Sequence, residues 1–368
     1  MSLQGKNKTT APLPLRLKIK QDVIAGIEAE LLRCVRGDQT MSRVELARRL
    51  TLAPSTVSIY VDRLIAEGFL LEKEKVERDY GRPPKALGLN PGGGRFIGID
   101  FEARNLMATA IDFSQQPLKH YRDKILASDS VDQILGKIER SISQLMGETK
   151  QKTLAIGVGV PGSIDNERGI ALHYRHITGW KNIPLAEKLS KRFGVPVFLE
   201  NNIRSMALAE LWFGQGRGEQ NFICVGVRSG IGAGIVLDGH LYRGANNLAG
   251  EIADWPCPES PASSGQSITR LEEAVSLRAL KKGDIAGAAN VLATVLLQLN
   301  LAFNPAKIIL AGAMTTFGED FLNLIQENLK SLADSSEVPK VVNSQLGDFN
   351  GAIGAAALAV HHWKPARK

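Results

Sequence analysis

The feature that most constrains the fold is an abrupt change of pattern at Asn90-Pro91-Gly92-Gly93-Gly94. Before this stretch, apolar residues recur at spacings of three and four, which is typical of amphipathic helices. After it, short apolar runs alternate with helical patterns, as they do in α/β domains. Proline and glycine between two such regions are typical of a linker. We therefore predict two domains joined by a hinge at 91–94.

The segment before the hinge contains three helical patterns in close succession. In QDVIAGIEAELLRCVRG the apolar residues form one stripe. In SRVELARRL, Ser42 and Glu45 have the spacing of a capping box, which marks a helix start. In TLAPSTVSIYVDRLIAEGF, Pro54 suits a first helical turn and Gly68 suits the exit. A short turn at 51–53 between the last two helices fits a helix-turn-helix.

Candidate DNA contacts lie on the third helix and on the segment that follows it. Hydroxyl and basic side chains away from the apolar face of the helix can bond phosphates and base edges. In FLLEKEKVERDYGRPPKALGLN, apolar runs flank a charged tip, which predicts a two-stranded wing whose arginine, stiffened by two prolines, enters a minor groove. The candidate contacts are Ser55, Thr56, Ser58, Arg63, Arg82 and Lys85.

These patterns predict a winged helix-turn-helix domain at 19–90, preceded by a flexible basic arm at 1–18. A small three-helix protein-interaction module is the alternative. Residues 1–94 hold 16 Lys and Arg against 11 Asp and Glu, whereas the rest of the chain holds 29 against 27. The uneven charge suits double-stranded DNA as a partner, and an ordinary solvated surface would also account for it.

Composition bears on the compartment. Three cysteines lie far apart and form no CxxC pair, so neither a disulfide framework nor a zinc knuckle is predicted. We expect a reduced, cytoplasmic setting. We see no uninterrupted run of about 18 apolar residues and no apolar signal core, so we expect no membrane association.

Beyond the hinge, two strand hairpins of similar layout begin at Arg95 and Asn221, and strands and helices follow each of them. This repetition predicts a β-rich unit used twice, giving two α/β lobes around a cleft. In such folds, ligands bind where strand ends and helix starts line the cleft.

Five stretches beyond the hinge together resemble the ROK family of repressors, open reading frames and kinases. They are IGVGVPGSID, GWKNIPLAEKL, PVFLENNIRSMALAELWFGQGRG, GIGAGIVLDGHLYRGANNLAGEI and FNPAKIILAG. The resemblance covers about residues 19–360, and the segment ending in GRPP is similar to the family's repressor branch, which contains xylose and N-acetylglucosamine repressors. It implies a two-lobed, actin-like and sugar-kinase-like (ribonuclease H-like) sensing domain at 95–368.

Departures from the family pattern imply a degenerate kinase. Family kinases hold ATP phosphates on an Asp-x-Gly-Gly-Thr turn, whereas Asp100 is followed by Phe-Glu-Ala-Arg, and Glu102 would repel phosphate. A second phosphate turn survives from Ser229 onward. The family's catalytic base is the Asp of an Asn-Asp pair, which here is Asn201-Asn202, and an amide cannot accept that proton. We expect no catalytic residue and no cofactor.

The resemblance also implies a sugar site and no metal site. By motif position, the sugar-contacting residues are Asn201, Asn202, Glu251, Asp254 and Glu272, with Asp254 in place of a family His. Amides and carboxylates suit sugars because each can bond two neighbouring hydroxyls. None of the family's zinc ligands remains, since their positions are taken by Asp254, Ser263, Gly265 and Arg270. A vestigial cleft that binds nothing is the alternative.

We therefore expect a sugar-responsive DNA-binding regulator, a repressor in the first instance. It would act as a homodimer or higher homo-oligomer on a pseudo-palindromic operator, and a sugar or sugar derivative would close the cleft. One alternative is a sugar kinase with a DNA-binding appendage, in which Asp100 or Glu251 replaces the base. Another is a regulator controlled by a protein partner. The sequence leaves open the sugar, the operator and the sign of regulation.

Overall fold

A computed structural model of the chain describes residues 15–38, 41–73, 85–147, 151–257, 269–275, 285–333 and 338–366. The chain forms two compact units, one of Met1–Gly93 with Trp363–Lys368 and one of Gly94–His362. Their boundary falls inside the predicted hinge, where Pro91–Gly93 forms a 3-10 turn. The last residues belong to the first unit, whereas the sequence analysis assigned them to the sensing domain.

The first unit consists of three helices and a hairpin. The helices are α1 (Leu15–Gly37), α2 (Arg43–Leu50) and α3 (Pro54–Ala66). Strand β1 (Leu70–Lys73) pairs antiparallel with β2 (Ala86–Leu89). Helix α1 begins inside the predicted arm, so residues 15–18 are helical. The remainder of that arm and the tip of the wing lie outside the described residues.

Local signals account for the turn between α2 and α3. Both bonds of the predicted Ser42–Glu45 capping box are present at the start of α2. Thr51 ends α2 in the left-handed conformation with φ of 53°, and Pro54 occupies the first turn of α3. Three fully buried residues of α3, Val57, Val61 and Leu64, form its packing face.

The second unit contains two five-stranded sheets of the same arrangement. The first has the order β10-β6-β3-β4-β5 and the second β13-β12-β11-β16-β17. In each, an antiparallel hairpin (β3–β4 or β11–β12) continues into parallel strands. The first sheet is built from β3 (Arg95–Phe101), β4 (Asn105–Asp112), β5 (Pro117–Lys124), β6 (Thr153–Val160) and β10 (Val197–Asn201). The second is built from β11 (Phe222–Val227), β12 (Ile231–Leu237), β13 (His240–Tyr242), β16 (Lys307–Gly312) and β17 (Val341–Asn343).

Smaller strands and seven helices complete the description of the second unit. The strands are β7 (Ser163–Asp165), β8 (Ile170–His173), β9 (Lys181–Ile183), β14 (Pro256–Cys257) and β15 (Thr269–Arg270). Within the described residues the helices are α4 (Val131–Gly147), α5 (Leu185–Phe193), α6 (Asn202–Phe213), α7 (Leu271–Ala274), α8 (Ile285–Phe303), α9 (Gly318–Leu332) and α10 (Asn350–His362).

Helices α6 and α10 pack in close backbone contact with each other and with the first sheet. A Cβ atom on Gly98 of β3 or Gly157 of β6 would overlap the backbone of α10, and one on Gly354 of α10 would overlap Ser205 of α6. Glycine is required at these positions because two backbones meet there. The pair of helices therefore supports the strand ends that carry the candidate site.

Helix α8 is the one described helix that is long and apolar enough to cross a membrane by length and composition, a match that the sequence analysis did not expect. Its residues Leu292, Leu296 and Leu299 are buried in the core beside the second sheet. Packing of this kind is typical of a core helix in a globular domain.

Candidate functional site

The candidate site lies where the carboxyl end of β10 meets the start of α6. Asn201 caps α6, because its side-chain oxygen accepts hydrogen bonds from the backbone N–H groups of Ile203 (2.9 Å) and Arg204 (3.2 Å). Its side-chain nitrogen donates to the carbonyl of Gly162 (3.1 Å) and to Glu251 Oε1 (3.3 Å). The cap fixes the amide, and the amide positions Glu251.

Glu251 is placed by the chain that precedes it. Gly250 has φ of 83°, and a Cβ atom there would overlap the carbonyl of Ala233 on β12. Desolvation raises the pKa of Glu251; Arg204 acts against this rise and Asp254 adds to it. A carboxylate held beside an amide in this way can accept hydrogen bonds from neighbouring hydroxyls.

Asn202, at the position predicted for a kinase base, is buried and turned toward the first sheet. Its side-chain nitrogen lies 3.5 Å from the carbonyl oxygen of Phe101, to which it donates. A carboxylate here would set one acceptor against another. An amide therefore fits its surroundings better than an acid would.

Two further predicted sugar residues, Asp254 and Glu272, are paired with cationic groups. Arg175 contacts Glu272 through one guanidinium nitrogen and lies 3.6 Å from Asp254 through the other. Arg270 binds Asp254 at 2.9 Å, and His176 Nε2 lies 2.7 Å from Glu272 Oε1. The structure thus links this pair of carboxylates through Arg175, while Asn201 and Glu251 form a second pair.

Neither Arg175 nor His176 was predicted from the sequence. They lie between β8 and β9, 96 residues from Glu272 in the case of His176, and no local pattern connects them to it. Burial lowers the pKa of His176, Arg175 lowers it further, and Glu102 acts against both. The imidazole is therefore neutral at neutral pH and serves as a hydrogen-bonding group.

A buried ion-pair network around Glu200 stabilises the turn that leads into α6. Glu200 is fully buried and accepts hydrogen bonds from Arg204 Nε (2.8 Å), Arg243 Nε (2.7 Å) and the backbone N–H of Asn201 (2.9 Å). Arg204 also donates to the carbonyl of Asn247 (2.7 Å). Because these groups satisfy one another, the turn that carries Asn201 and Asn202 is held firmly.

At the far end of β3, Asp100 forms an ion pair of 2.5 Å with Arg228. Burial raises the pKa of Asp100 to about 6, Arg228 lowers it, and Glu102 adds to the rise. Glu102 itself accepts hydrogen bonds from the backbone N–H (2.9 Å) and the hydroxyl (2.6 Å) of Ser229. The two turns that the sequence analysis compared with phosphate turns are therefore in contact with each other.

The candidate DNA contacts divide into exposed and paired residues. Ser55 is exposed, and Thr56 and Ser58 are half-buried.

Arg63 lies 3.3 Å from buried Glu28 on α1, so it has a partner within the protein. Lys85 binds Glu72 across the hairpin at 2.7 Å. Arg82 lies outside the described residues.

An apolar residue also lies on the outer face of α3. Ile59 is 59% exposed, one turn beyond Ser55. Next to it, Arg43 of α2 pairs with Asp62 at 2.6 Å and donates to the carbonyl of Ser58 at 3.5 Å. These bonds tie α2 to α3 and leave Ile59 at the surface.

No group of three or more His, Cys, Asp or Glu side chains that could hold a metal occurs among the described residues. Of the positions compared with the family's zinc ligands, Asp254 and Arg270 pair with each other. Ser263 and Gly265 lie outside the described residues.

Comparison with known proteins identifies both units. The model of the ROK family matches residues 96–282 and 263–362, and a model of a winged helix-turn-helix DNA-binding domain matches residues 27–70. The chain belongs to the ROK family. The predicted family and fold class are thereby confirmed, including the winged helix-turn-helix.

Curated relatives of this ROK protein include regulators. It is 26% identical over 369 residues to the xylose repressor of Bacillus subtilis (strain 168), covering 90% of this chain and 94% of the relative. It is 28% identical over 364 residues to the DNA-binding transcriptional dual regulator NagC of Escherichia coli (strain K12), covering 86% and 88%.

Solved structures with the same fold include a regulator and kinases. A ROK family transcriptional regulator, described as a homolog of the E. coli MLC protein, superposes with a TM-score of 0.74 at 23% identity, covering 93% of this chain and 96% of that one. A ROK family glucokinase from Streptomyces griseus, in complex with glucose and AMPPNP, superposes with a TM-score of 0.64 at 24% identity, covering 72% and 99%. The fold alone therefore does not separate a sensor from an enzyme.

Proposed function

We propose that this ROK protein is a transcriptional repressor that binds an operator through its winged helix-turn-helix and a sugar in its cleft, without phosphorylating the sugar. One observation carries the proposal. A DNA-binding unit is joined to a sugar-kinase-like domain in which Asn202 directs its amide nitrogen at the carbonyl of Phe101. Relatives named as a xylose repressor and an N-acetylglucosamine repressor also support a repressor function.

The proposed effector site consists of Asn201, Asn202, Glu251, Asp254 and Glu272, all contributed by the second unit. Glu251 accepts sugar hydroxyls beside the fixed amide of Asn201. A sugar that reaches Glu272 shares or displaces its contacts with Arg175 and His176. Sugar binding would thus rearrange these ion pairs. The sugar would then bind one conformation of the cleft more tightly than the other, which is the condition for shifting the balance between them.

The proposed DNA-binding surface is the outer face of α3 with the wing. Ser55 and Ile59 face the major groove, where a hydroxyl can bond a base edge and an isoleucine can contact a thymine methyl. Thr56, Ser58 and Lys85 bond phosphates, and Arg82 enters the minor groove. We assign Arg63 to holding α3 against α1 through Glu28 rather than to the DNA. In a homodimer, two such surfaces would lie about 34 Å apart.

A kinase with a DNA-binding appendage is the competing reading, and it needs another base. Asp100 is fully buried and already paired with Arg228, so a sugar hydroxyl has no access to its carboxylate. Glu251 carries a raised pKa but is bonded to Asn201. Asp100 therefore offers no lone pair to a hydroxyl, whereas Glu251 is held by Asn201 as a hydrogen-bond acceptor for the sugar rather than as its base. We therefore assign no enzymatic activity to the protein. The proposed role on DNA implies a cytoplasmic location.

The experiment begins with selection of a binding site from random duplexes, followed by gel retardation at fixed, moderate salt with a panel of sugars. We expect retardation of the selected duplex to exceed that of a scrambled duplex by at least about a thousandfold in affinity, and one sugar to abolish it. Equal retardation of both duplexes would refute the proposal. If no sugar dissociates a sequence-specific complex but a protein from a cell extract does, the effector is a protein partner and not a sugar.

A further inference from the structure

The turn between β11 and β12 contains a group of donors suited to an anion. The backbone N–H and the hydroxyl of Ser229 point the same way, at the start of a glycine-rich stretch. Such successive donors commonly bind phosphate or carboxylate. In this protein the anion is Glu102 of the same chain, whose Oε2 accepts both donors at 2.9 and 2.6 Å while Oε1 accepts from Asn105 at 2.7 Å.

A cation accompanies this anion. Arg228, whose side chain is 13% exposed, is paired at 2.5 Å with fully buried Asp100. The other sides of Asp100 are closed by glycines, since a Cβ atom on Gly351 would overlap its carboxylate and one on Gly159 would lie 3.1 Å from Oδ1. The guanidinium thus supplies the charge that neutralises Asp100.

These contacts join the two lobes of the sensing domain. Asp100 and Glu102 belong to the β3–β4 hairpin of the first sheet, whereas Arg228 and Ser229 belong to the hairpin of the second. Tyr174 reaches the same cluster by bonding the Ser229 side chain and the backbone at Ala103, and burial raises the pKa of Tyr174 to about 12. The contact between the two hairpins therefore contains its own anion and its own cation.

We propose that Glu102 and Arg228 are specificity-determining residues, which replace a bound phosphate and its counter-ion and restrict the cleft to unphosphorylated, uncharged sugars. A phosphate brought to Ser229 would have to displace a carboxylate that makes three hydrogen bonds, and would meet the second carboxylate of Asp100. The inference rests on the proposed sensor function and names the class of its effector.

The direct test is calorimetric titration of the full-length protein with MgATP and, separately, with inorganic tripolyphosphate. We expect the wild type to show no saturable binding of either. Glu102→Ala frees the donors of Ser229 and removes a repelling charge, so it should bind tripolyphosphate saturably, at least about tenfold more tightly than the weakest binding that the titration detects. Glu102→Gln keeps the shape of the side chain and should show a smaller gain, which guards against a folding defect in the alanine variant.

A matched control is Glu327→Ala, which removes the same charge from an exposed position on α9 and should bind like the wild type. Tripolyphosphate binding by the wild type that equals binding by Glu102→Ala would overturn the proposal. So would the absence of any gain in both Glu102 variants.

A second arm separates this inference from the proposed function. Operator release is measured with each sugar and with its 6-phosphate or 5-phosphate ester. We expect the free sugar to act at least about a hundredfold more strongly than the ester. If the ester acts more strongly, the role of Glu102 and Arg228 is wrong while the sensor function stands. If neither releases the operator, the proposed function fails.

Discussion

Replacing Arg228 by methionine tests the electrostatics of the sensing domain, because it removes the cation that accompanies fully buried Asp100. The pKa of Asp100 is about 6 in the folded protein against 3.8 as the ordinary value. At about 1.4 kcal/mol per unit, ionised Asp100 already costs roughly 3 kcal/mol at neutral pH, even with Arg228 in place. Breaking a buried pair of this kind typically costs a further 3 to 5 kcal/mol, roughly.

The sign of the pH dependence follows from the raised pKa. Asp100 holds its proton more tightly in the folded state, so its contribution to stability is fully present below about pH 4 and is lost as the pH rises through about 6. Without Arg228 the pKa rises further, and the loss continues to higher pH. The difference in unfolding free energy between wild type and Arg228→Met should therefore be larger at about pH 8 than at about pH 5.

Urea unfolding followed by tryptophan fluorescence measures this difference, because Trp180 is buried and its ring centroid lies 5.1 Å from that of Phe101, next to Asp100. The double variant Asp100→Asn/Arg228→Met removes both charges and should regain at least half of the lost stability. A loss that is the same at both pH values, or a double variant no more stable than the single one, would refute the reasoning.

Three further changes probe other parts of the molecule. Ser42→Ala removes the cap of α2 and should lower the free energy of unfolding of the first unit by about 1 kcal/mol, measured by urea unfolding. Ser42→Thr keeps a capping hydroxyl and should not lower it. Equal effects of both substitutions would mean that the cap contributes nothing. Ile59→Ala should weaken binding of the selected operator about fivefold by fluorescence anisotropy, through loss of an apolar contact, without changing non-specific binding; an equal loss on both duplexes would remove Ile59 from base reading. Glu251→Gln should raise the sugar concentration for half-release of the operator at least about tenfold with unchanged operator affinity, and a loss of operator affinity as well would give Glu251 a structural role.

Elements specified by nearby residues could be predicted from the sequence. The capping box of Ser42 and Glu45, the proline at the start of α3 and the hairpins on either side of the hinge all depend on neighbours in the chain. The start of α1 at Leu15 was missed, because prolines and lysines around it are typical of an arm. The observed start of α1 inside the predicted arm shows that sequence composition locates the end of a helix only approximately.

Helix α10 was not predicted, although it supports the first sheet. It is rich in alanine and glycine, and Ala352, Ala355 and Ala356 are fully buried, so no polar face alternates with an apolar one. A helix surrounded by protein lacks the periodicity by which surface helices are recognised.

The sugar site stays a prediction, and the family motifs pointed to its amides and carboxylates but not to the cations that the structure pairs with them. Arg175 and Arg228 meet Glu272 and Asp100 only after the chain folds, and Glu102 is 127 residues from Ser229. Pairing over such distances leaves no local signal in a single sequence. Glu102 was expected from the sequence to repel phosphate, and the structure adds the donors of Ser229 that hold its carboxylate.

One measurement tests the central claim most directly: the fluorescence anisotropy of a labelled operator during titration with the effector sugar, with and without MgATP, followed by analysis of the recovered sugar. The account predicts the same release curve in both titrations and recovery of the sugar without a phosphate. Release that requires MgATP and yields a sugar phosphate would contradict it, as would an operator complex that no sugar dissociates.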